Sequence, residues 1–394
     1  MRLFSIMALV TLCVASIAGA AIVDLGVIGA DTWSTGIGIN SSKMVSGNSV
    51  GAIYTAFSYQ AGVKTPLPAV VGTASRTDYS EGINDSGDIV GYSNYNQGVI
   101  HPTLWRLSGG VYTATDLGSL GADLNGPFKA AAVSINAAGN RIGGWAPEES
   151  NVSAWLPVLW DWDGSSWGIS ILPSNGFAGQ VNAISDVSDM VAGNSQGDPA
   201  VWDNSGGVWS RTILTNPYPG GQGVGSRGYA MDALGRVIVG QGKRGDGRQR
   251  AARWKWGGGT IWTASQLGVV TGSTNSIAYG ISSNAFFTVG TSWYTSPASG
   301  SEPPDDGTKS QRATIWFGKE LIARNLNDYR APADLGWNLL SAYGANDTGW
   351  ITGVGIIGGQ KHGFLMGPIP EPSSLCTLMM GAAACGLGLL RRRR

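Results

Sequence analysis

The chain has 394 residues and carries 26 Lys+Arg against 26 Asp+Glu, a formal net charge of zero. That balance excludes the basic footprint of a nucleic-acid binder. Its 61 glycines argue against long helices, and its three cysteines, Cys13, Cys376 and Cys385, all lie close to the ends, so the body rests on neither thiols nor disulfides.

The first segment, MRLFSIMALVTLCVASIAGA, has one arginine, an apolar run and Ala18-Gly19-Ala20 before Ala21. This is the layout of a signal peptide over residues 1–20, cleaved by signal peptidase between Ala20 and Ala21. The mature body, 21–367, then opens with IVDLG (22–26). Without Arg2 and the four terminal arginines it keeps 21 Lys+Arg, against 25 Asp+Glu once Glu371 is left out, a net charge of −4.

From residue 40 onward the chain repeats itself. EGINDSGDIVGYS (81–93) is written again as YGANDTGWITGV (343–354). Asn40, Asn84, Asn136 and Asn346 each stand seven residues before a glycine: Gly47, Gly91, Gly143 and Gly353. Weaker copies end at Gly193, with Asp186 in the Asn slot, and at Gly240 and Gly290, each with one extra residue. Seven copies at a period near fifty belong to the range of propeller blades. Within a copy, GIN and IVGYS read as two strands around an Asp/Gly turn. A third element follows as TAF (55–57), PTLW (102–105), PVLW (157–160), PAVW (199–202), AARW (251–254), ATIW (313–316) and GFLM (363–366). The fourth is DLGSL (116–120), ISIL (169–172), RTIL (211–214), SQLG (265–268) or ARNL (323–326).

Four short strands per repeat make one blade, so the sequence predicts an all-β, seven-bladed β-propeller of four-stranded blades. IVDLG is a fourth-strand phrase with nothing before it, and the last repeat stops after GFLM. The N-terminal strand is therefore expected to complete the last blade, which closes the ring and removes a free sheet edge. SPASGSEPPDDGTK (296–309) reads as an inserted surface loop.

The phrases G-I-N-x-x-G-x-I-V-G, A-F/L-W and D-L-G, with His362-Gly363-Phe364 near a His-Ala-Phe, resemble the HAF-repeat extracellular proteins over roughly residues 22–367. The resemblance implies a secreted repeat protein and supplies no catalytic residue. The last segment, 368–394, has Pro370-Glu371-Pro372, an apolar stretch Leu375–Leu390 and Arg391, Arg392, Arg393 and Arg394. As a helix the stretch spans about 24 Å, short for a ~30 Å hydrocarbon core, and the arginines hold its end in the cytoplasm. This triple layout resembles the PEP-CTERM sorting signal of Gram-negative bacteria that make exopolysaccharide. The resemblance implies transient anchoring in the inner membrane through the tail, which an exosortase then cleaves. A plain tail anchor gives the same topology but leaves Pro-Glu-Pro unexplained.

No catalytic, cofactor-binding or metal-binding residue is assigned. GNSVG (47–51) and GNSQG (193–197) match G-x-S-x-G, and GVGSRG (223–228) and GVGIIG (353–358) match G-x-G-x-x-G, without the strand-to-helix setting that either motif needs. His101 and His362 fall in different blades, without zinc-ligand spacing. Asp161 and Asp163 in DWDGSSW could serve calcium, but Asp163-Gly164 is ordinary hairpin-turn chemistry. Trp105, Trp160, Trp202, Trp254 and Trp316 share one slot and read as inter-blade core; other tryptophans near turns could stack on sugars. The reading is an exported cell-surface or matrix protein with a binding or structural role, an exopolysaccharide or surface protein as partner, and no cofactor. The alternative is a polysaccharide lyase or glycoside hydrolase with carboxylates in the central funnel.

Overall fold

The computed structural model describes residues 19–369 apart from 71–76, 96–98, 121–129, 149–150, 177, 219, 221–224 and 295–310. Twenty-eight strands form seven four-stranded antiparallel sheets, and the first strands of consecutive sheets pack side by side into a closed ring. The fold is the predicted seven-bladed β-propeller. The innermost strands are Trp33–Ile39, Asp78–Ile83, Ala131–Ile135, Gly179–Ile184, Arg227–Met231, Asn275–Ile281 and Asn338–Ala345, in blades 1 to 7.

The ring closes as the two ends of the repeat series predicted. The strand Ala21–Asp24 pairs with Gln360–Gly367, Ile22 opposite Met366 and Asp24 opposite Phe364, and is the outermost strand of blade 7. The predicted cleavage pair sits at its start. Ala20 is buried, donates its N–H to Tyr329 O (2.7 Å) and accepts from Ala331 N (3.0 Å).

Blades adhere through apolar side chains between sheets. Trp105, Trp160, Trp202, Trp254 and Trp316 are all but inaccessible, and each indole N–H donates to a backbone carbonyl beyond the fourth strand of the preceding blade: Pro68, Gly118, Pro173, Thr215 and Gly268. A buried indole needs such a partner. Strand pairing gives the same slot to Met366 in blade 7 and to Tyr59 in blade 1, two residues beyond TAF. The fourth-strand phrases mark where that strand ends. Leu25, Leu67, Leu117, Leu172, Leu214, Leu267 and Leu326 each follow its last residue and are buried between blades.

Two repeat positions need correction. A Cβ on the anchor glycine would strike a first-strand carbonyl: Tyr79 O at 1.9 Å from Gly91, and Ala131 O at 2.0 Å from Gly144. The anchor of blade 3 is thus Gly144, not Gly143. By the same alignment Ser185, whose N–H closes its turn onto Met190 O, fills the Asn slot of blade 4, and Asp186 is the residue after it. Blades 3 to 6 all carry the longer turn, which the two adjacent glycines Gly143 and Gly144 leave ambiguous in the sequence.

The Asn slot explains its own repetition. Asn84 Oδ1 accepts from Asp88 N (2.9 Å), closing the turn in which Gly87 takes φ +85°, and its amide donates to Asn136 O of the next blade (3.3 Å). Asn40 reaches Asn84 O and Asn346 reaches Asn40 O in the same way. The Asn136 amide turns instead to Asn140 Oδ1 (2.8 Å), and in blades 4 to 6 the slot holds Ser or Asp; there other bonds substitute: Asp186 Oδ1 accepts from Ala137 N (2.6 Å), Ser185 Oγ donates to Ala233 O (2.8 Å), Ala233 N donates to Ser283 O (3.1 Å), and Asp347 Oδ1 accepts from Asn284 N (2.8 Å). These bonds link every pair of adjacent turns into a belt around one end of the channel.

Candidate functional site: the central channel

Every first strand slips register at least once against its second strand. Such β-bulges kink a strand and re-aim a side chain. The extra residues are Ile37, Glu81, Val133, Asn182, Tyr229, Tyr279 and, in blade 7, Leu340 and Tyr343, because that strand slips twice. All of them line one cavity of about 380 Å³ on the propeller axis, together with Trp33, Thr35, Tyr79, Gln180, Gln311, Val354 and Lys361. The bulges thus form a collar, one position per blade.

The residue after the collar position is small for a steric reason. In sequence the slots read I-G-I-N, E-G-I-N, V-S-I-N, N-A-I-S, Y-A-M-D, Y-G-I-S and Y-G-A-N. A Cβ on Gly82 would stand 2.8 Å from Val133 O, and one on Gly280 only 2.2 Å from Tyr343 O. In blades 2, 6 and 7 the bulge leans on the collar carbonyl of the next blade, so a small residue recurs there while the collar residue varies.

The collar is uneven. In blades 5 to 7 it is aromatic, with ring centroids of Tyr229 and Tyr279 5.5 Å apart and of Tyr279 and Tyr343 5.1 Å apart, tilted in both pairs. A second aromatic run comes from blades 1 and 2: Trp33, Tyr54, Tyr79 and Tyr92, the last two stacked at 5.4 Å. Asn182 is held in place by donating to Gly228 O (2.6 Å) and accepting from Gln180. Gln311 Nε2 donates to Ser341 Oγ (3.0 Å).

Glu81 is the one acidic residue among the described lining residues. Its carboxyl has no hydrogen-bond or ion-pair partner among the described residues, and its remaining surface faces the cavity. Burial alone pushes it up from the usual carboxylate range to about 7. Burial is also the main cause that raises Tyr79 and Tyr92, with the Glu81 charge adding to both, so these phenols stay neutral at physiological pH.

Below the collar the next inward residues, Ile39, Ile83 and Ile135, line a second cavity of about 210 Å³, rimmed by Asp85, Asp186 and Asp347 of the turn belt. Those acids are committed to the belt: besides Asp186 and Asp347, Asp85 accepts from Ser41 N (2.9 Å).

The residues singled out from sequence fall elsewhere. His101 and His362 occupy the same place on the third strands of blades 2 and 7, each facing a fourth-strand carboxylate: His101 Nδ1 to Asp116 at 2.7 Å, and His362 Nδ1 to Asp24 at 2.9 Å. Each Asp also accepts from the glycine two residues on, Gly118 N or Gly26 N. The His and D-L-G phrases thus meet as a cross-strand pair. Burial would raise the Asp116 carboxyl, but His101 and the Gly118 amide together hold it below its usual range. Asp161 pairs with Arg141 Nε (2.6 Å), while exposed Asp163 accepts from Ser165 N and Ser166 N, which lower its pKa; the two carboxylates serve separate partners. GNSVG and GNSQG begin on the second strands Val45–Val50 and Met190–Ser195, not after them, and continue into turns. Pro370 to Pro372 and Arg391 to Arg394 lie outside the described residues, as does the span Leu375–Leu390; among the described residues no helix is long and apolar enough to cross a membrane.

No family profile and no curated protein matches the chain. Solved propellers do. The β-propeller domain of Cps50 (Swd1) from Myceliophteria thermophila aligns at 11% identity and TM-score 0.49 over 88% of this chain and 99% of that one. The β-propeller domain of the Trilobed protease from Pyrococcus furiosus, described as having an open velcro topology, aligns at 10% identity and TM-score 0.48 over 88% and 95%. TolB from Acinetobacter baumannii aligns at 11% and 0.42 over 86% and 64%. Likenesses this distant concern fold alone and carry no activity or ligand to this chain.

Proposed function

We propose that the chain is an exported propeller of the cell surface or extracellular matrix, with a non-catalytic role in binding polysaccharide. The observation that carries this reading is the collar: aromatic rings and fixed amides around a single carboxylic acid. Aromatic faces and amides suit polyhydroxylated ligands, which present apolar ring faces and hydroxyl edges together. Glycoside hydrolysis needs two carboxylates flanking one bond, and the described lining offers Glu81 alone. Export is supported by the signal-peptide layout ending at Ala20–Ala21 and by the tail that resembles an exosortase substrate. The exopolysaccharide setting comes from that second resemblance.

One observation favours the enzyme reading. A carboxyl that titrates near 7 is suited to move a proton at neutral pH, and Glu81 is such a group. Both readings are tested together. The full chain is incubated with exopolysaccharide from the producing organism, and binding, reducing ends and unsaturated-sugar absorbance are followed. Stable binding with no product supports the proposal. Product formation that survives purification and disappears in Glu81→Gln moves the protein to the enzyme class.

A further inference from the structure

We propose that the collar chamber recognises the end of a polysaccharide chain, taking one terminal neutral sugar unit end-on, with Glu81 meeting its hydroxyls. This rests on the polysaccharide-binding reading above and names the part of the polymer that is bound.

The end-on geometry comes from the channel's two tiers. The chamber has about 380 Å³, within the range of small-molecule sites, and lies on the axis between the first strands. The second cavity shares no lining residue with the chamber; Ile39, Ile83 and Ile135, two residues on from the collar, are the large apolar residues of its wall, and past them the turn belt joins neighbouring blades by hydrogen bonds. A chain threaded through would have to leave hydroxyls against the isoleucines, where nothing apolar can satisfy them. A chain that stops above them loses nothing.

The choice of a neutral, hydroxyl-rich ligand comes from the charges. A half-buried carboxyl with no protein partner gains from a hydrogen bond, and a ligand hydroxyl supplies one whether Glu81 donates or accepts. An acidic sugar would bring a second negative charge to Glu81. A cationic ligand would share the chamber with Lys361. The wall across from Glu81, Tyr229 and Tyr279, offers ring faces. The titratable groups that feel the Glu81 charge are Tyr79 and Tyr92 of its own blade; Tyr343 and Lys361 share the lining with it, as do Ile37 and Val133 on the adjoining first strands. The buried phenols that couple to it hold their protons well past its own transition.

The test is calorimetric titration of the full chain with exopolysaccharide from the producing organism. It is compared intact and after mild acid cleavage into short chains, at equal sugar mass. End-on recognition predicts that binding capacity follows the number of chain ends, so the cleaved sample binds at least tenfold more protein. Glu81→Gln, nearly isosteric, is expected to weaken binding about tenfold at pH 5 and at pH 8 alike, one hydrogen bond's worth. Val133→Phe, which fills the chamber from the facing strand, is expected to abolish binding, and its melting curve reports whether it has folded. Trp155→Ala, outside the chamber, leaves binding unchanged. Equal binding per sugar mass, or binding unaffected by Glu81→Gln at either pH, overturns the inference and leaves the polysaccharide reading standing. Binding of choline in preference to the cleaved chains replaces the sugar by an organic cation and overturns it too. No binding of either sample fails the functional reading itself.

Discussion

The third-strand tryptophans and the first-strand collar each occur once per blade, yet the chain treats them in opposite ways. Five blades fill the third-strand slot with Trp, and every one of those indoles is buried and bonded to the preceding blade. The collar slot instead holds Ile, Glu, Val, Asn and three Tyr, although its backbone is bulged in every blade. Where a repeat must satisfy the same neighbour seven times, its residue is fixed by packing. Where it faces an axis shared by all seven, the residue is released from packing and can be set by what occupies the axis. Uniformity marks the framework, and variety at a fixed backbone position marks the site.

The widest separation between the two regions is expected from Trp202→Ala. It opens a cavity between blades and orphans Pro173 O, so denaturant unfolding should show a loss of about 3–5 kcal/mol. A loss below 1 kcal/mol would mean that the slot is not core. Gly280→Ala comes next. Its Cβ would stand 2.2 Å from the backbone oxygen of Tyr343, which cannot swing away, and overpacking of this kind costs about 1–3 kcal/mol. A neutral result would show that adjacent bulges are looser than the ring geometry implies.

Glu81→Gln should act in the opposite direction and depend on pH. The folded-state carboxyl is raised from 4.5 to about 7. Below 4.5 both states hold the proton and Glu81 costs nothing. Between 4.5 and 7 the unfolded chain ionises while the folded one does not, so stability falls as pH rises, by up to about 3 kcal/mol at pH 7 and above. The variant should therefore melt a few degrees higher than wild type at pH 8 and equally at pH 4. Equal curves at both would place Glu81 in contact with bulk water. The smallest effect is expected from Val208→Ser, an exposed turn position that belongs to neither region, which should shift stability by no more than about 0.5 kcal/mol.

The architecture was legible because its signals are local and recur: turn chemistry at Asn84-Asp85-Ser86-Gly87, the Trp slot, and a fourth-strand phrase stranded at the N-terminus. Register was harder. Gly143 and Gly144 are equivalent to the eye, and only the close approach of Ala131 O distinguishes them. The candidate site was missed because attention to recurring residues selects framework. Its signal was present as the residue before each small-Ile-Asn phrase, where Ile, Glu, Val, Asn and Tyr alternate at a fixed place, and Glu81 is its one acid. What no pattern conveys is that a bulge turns that residue toward the axis and that burial there raises its proton affinity.

The strand Ala21–Asp24 also has a consequence in time. It is made first, yet its partner Gln360–Gly367 is made more than three hundred residues later. A chain that emerges from a membrane N-terminus first must hold this strand unpaired while six blades form. Contacts of such sequence separation are slow to find, and an unpaired strand edge is where neighbouring chains join. The step that limits folding is then the meeting of the two ends in blade 7, and joining of half-made chains through that open edge is the hazard it carries.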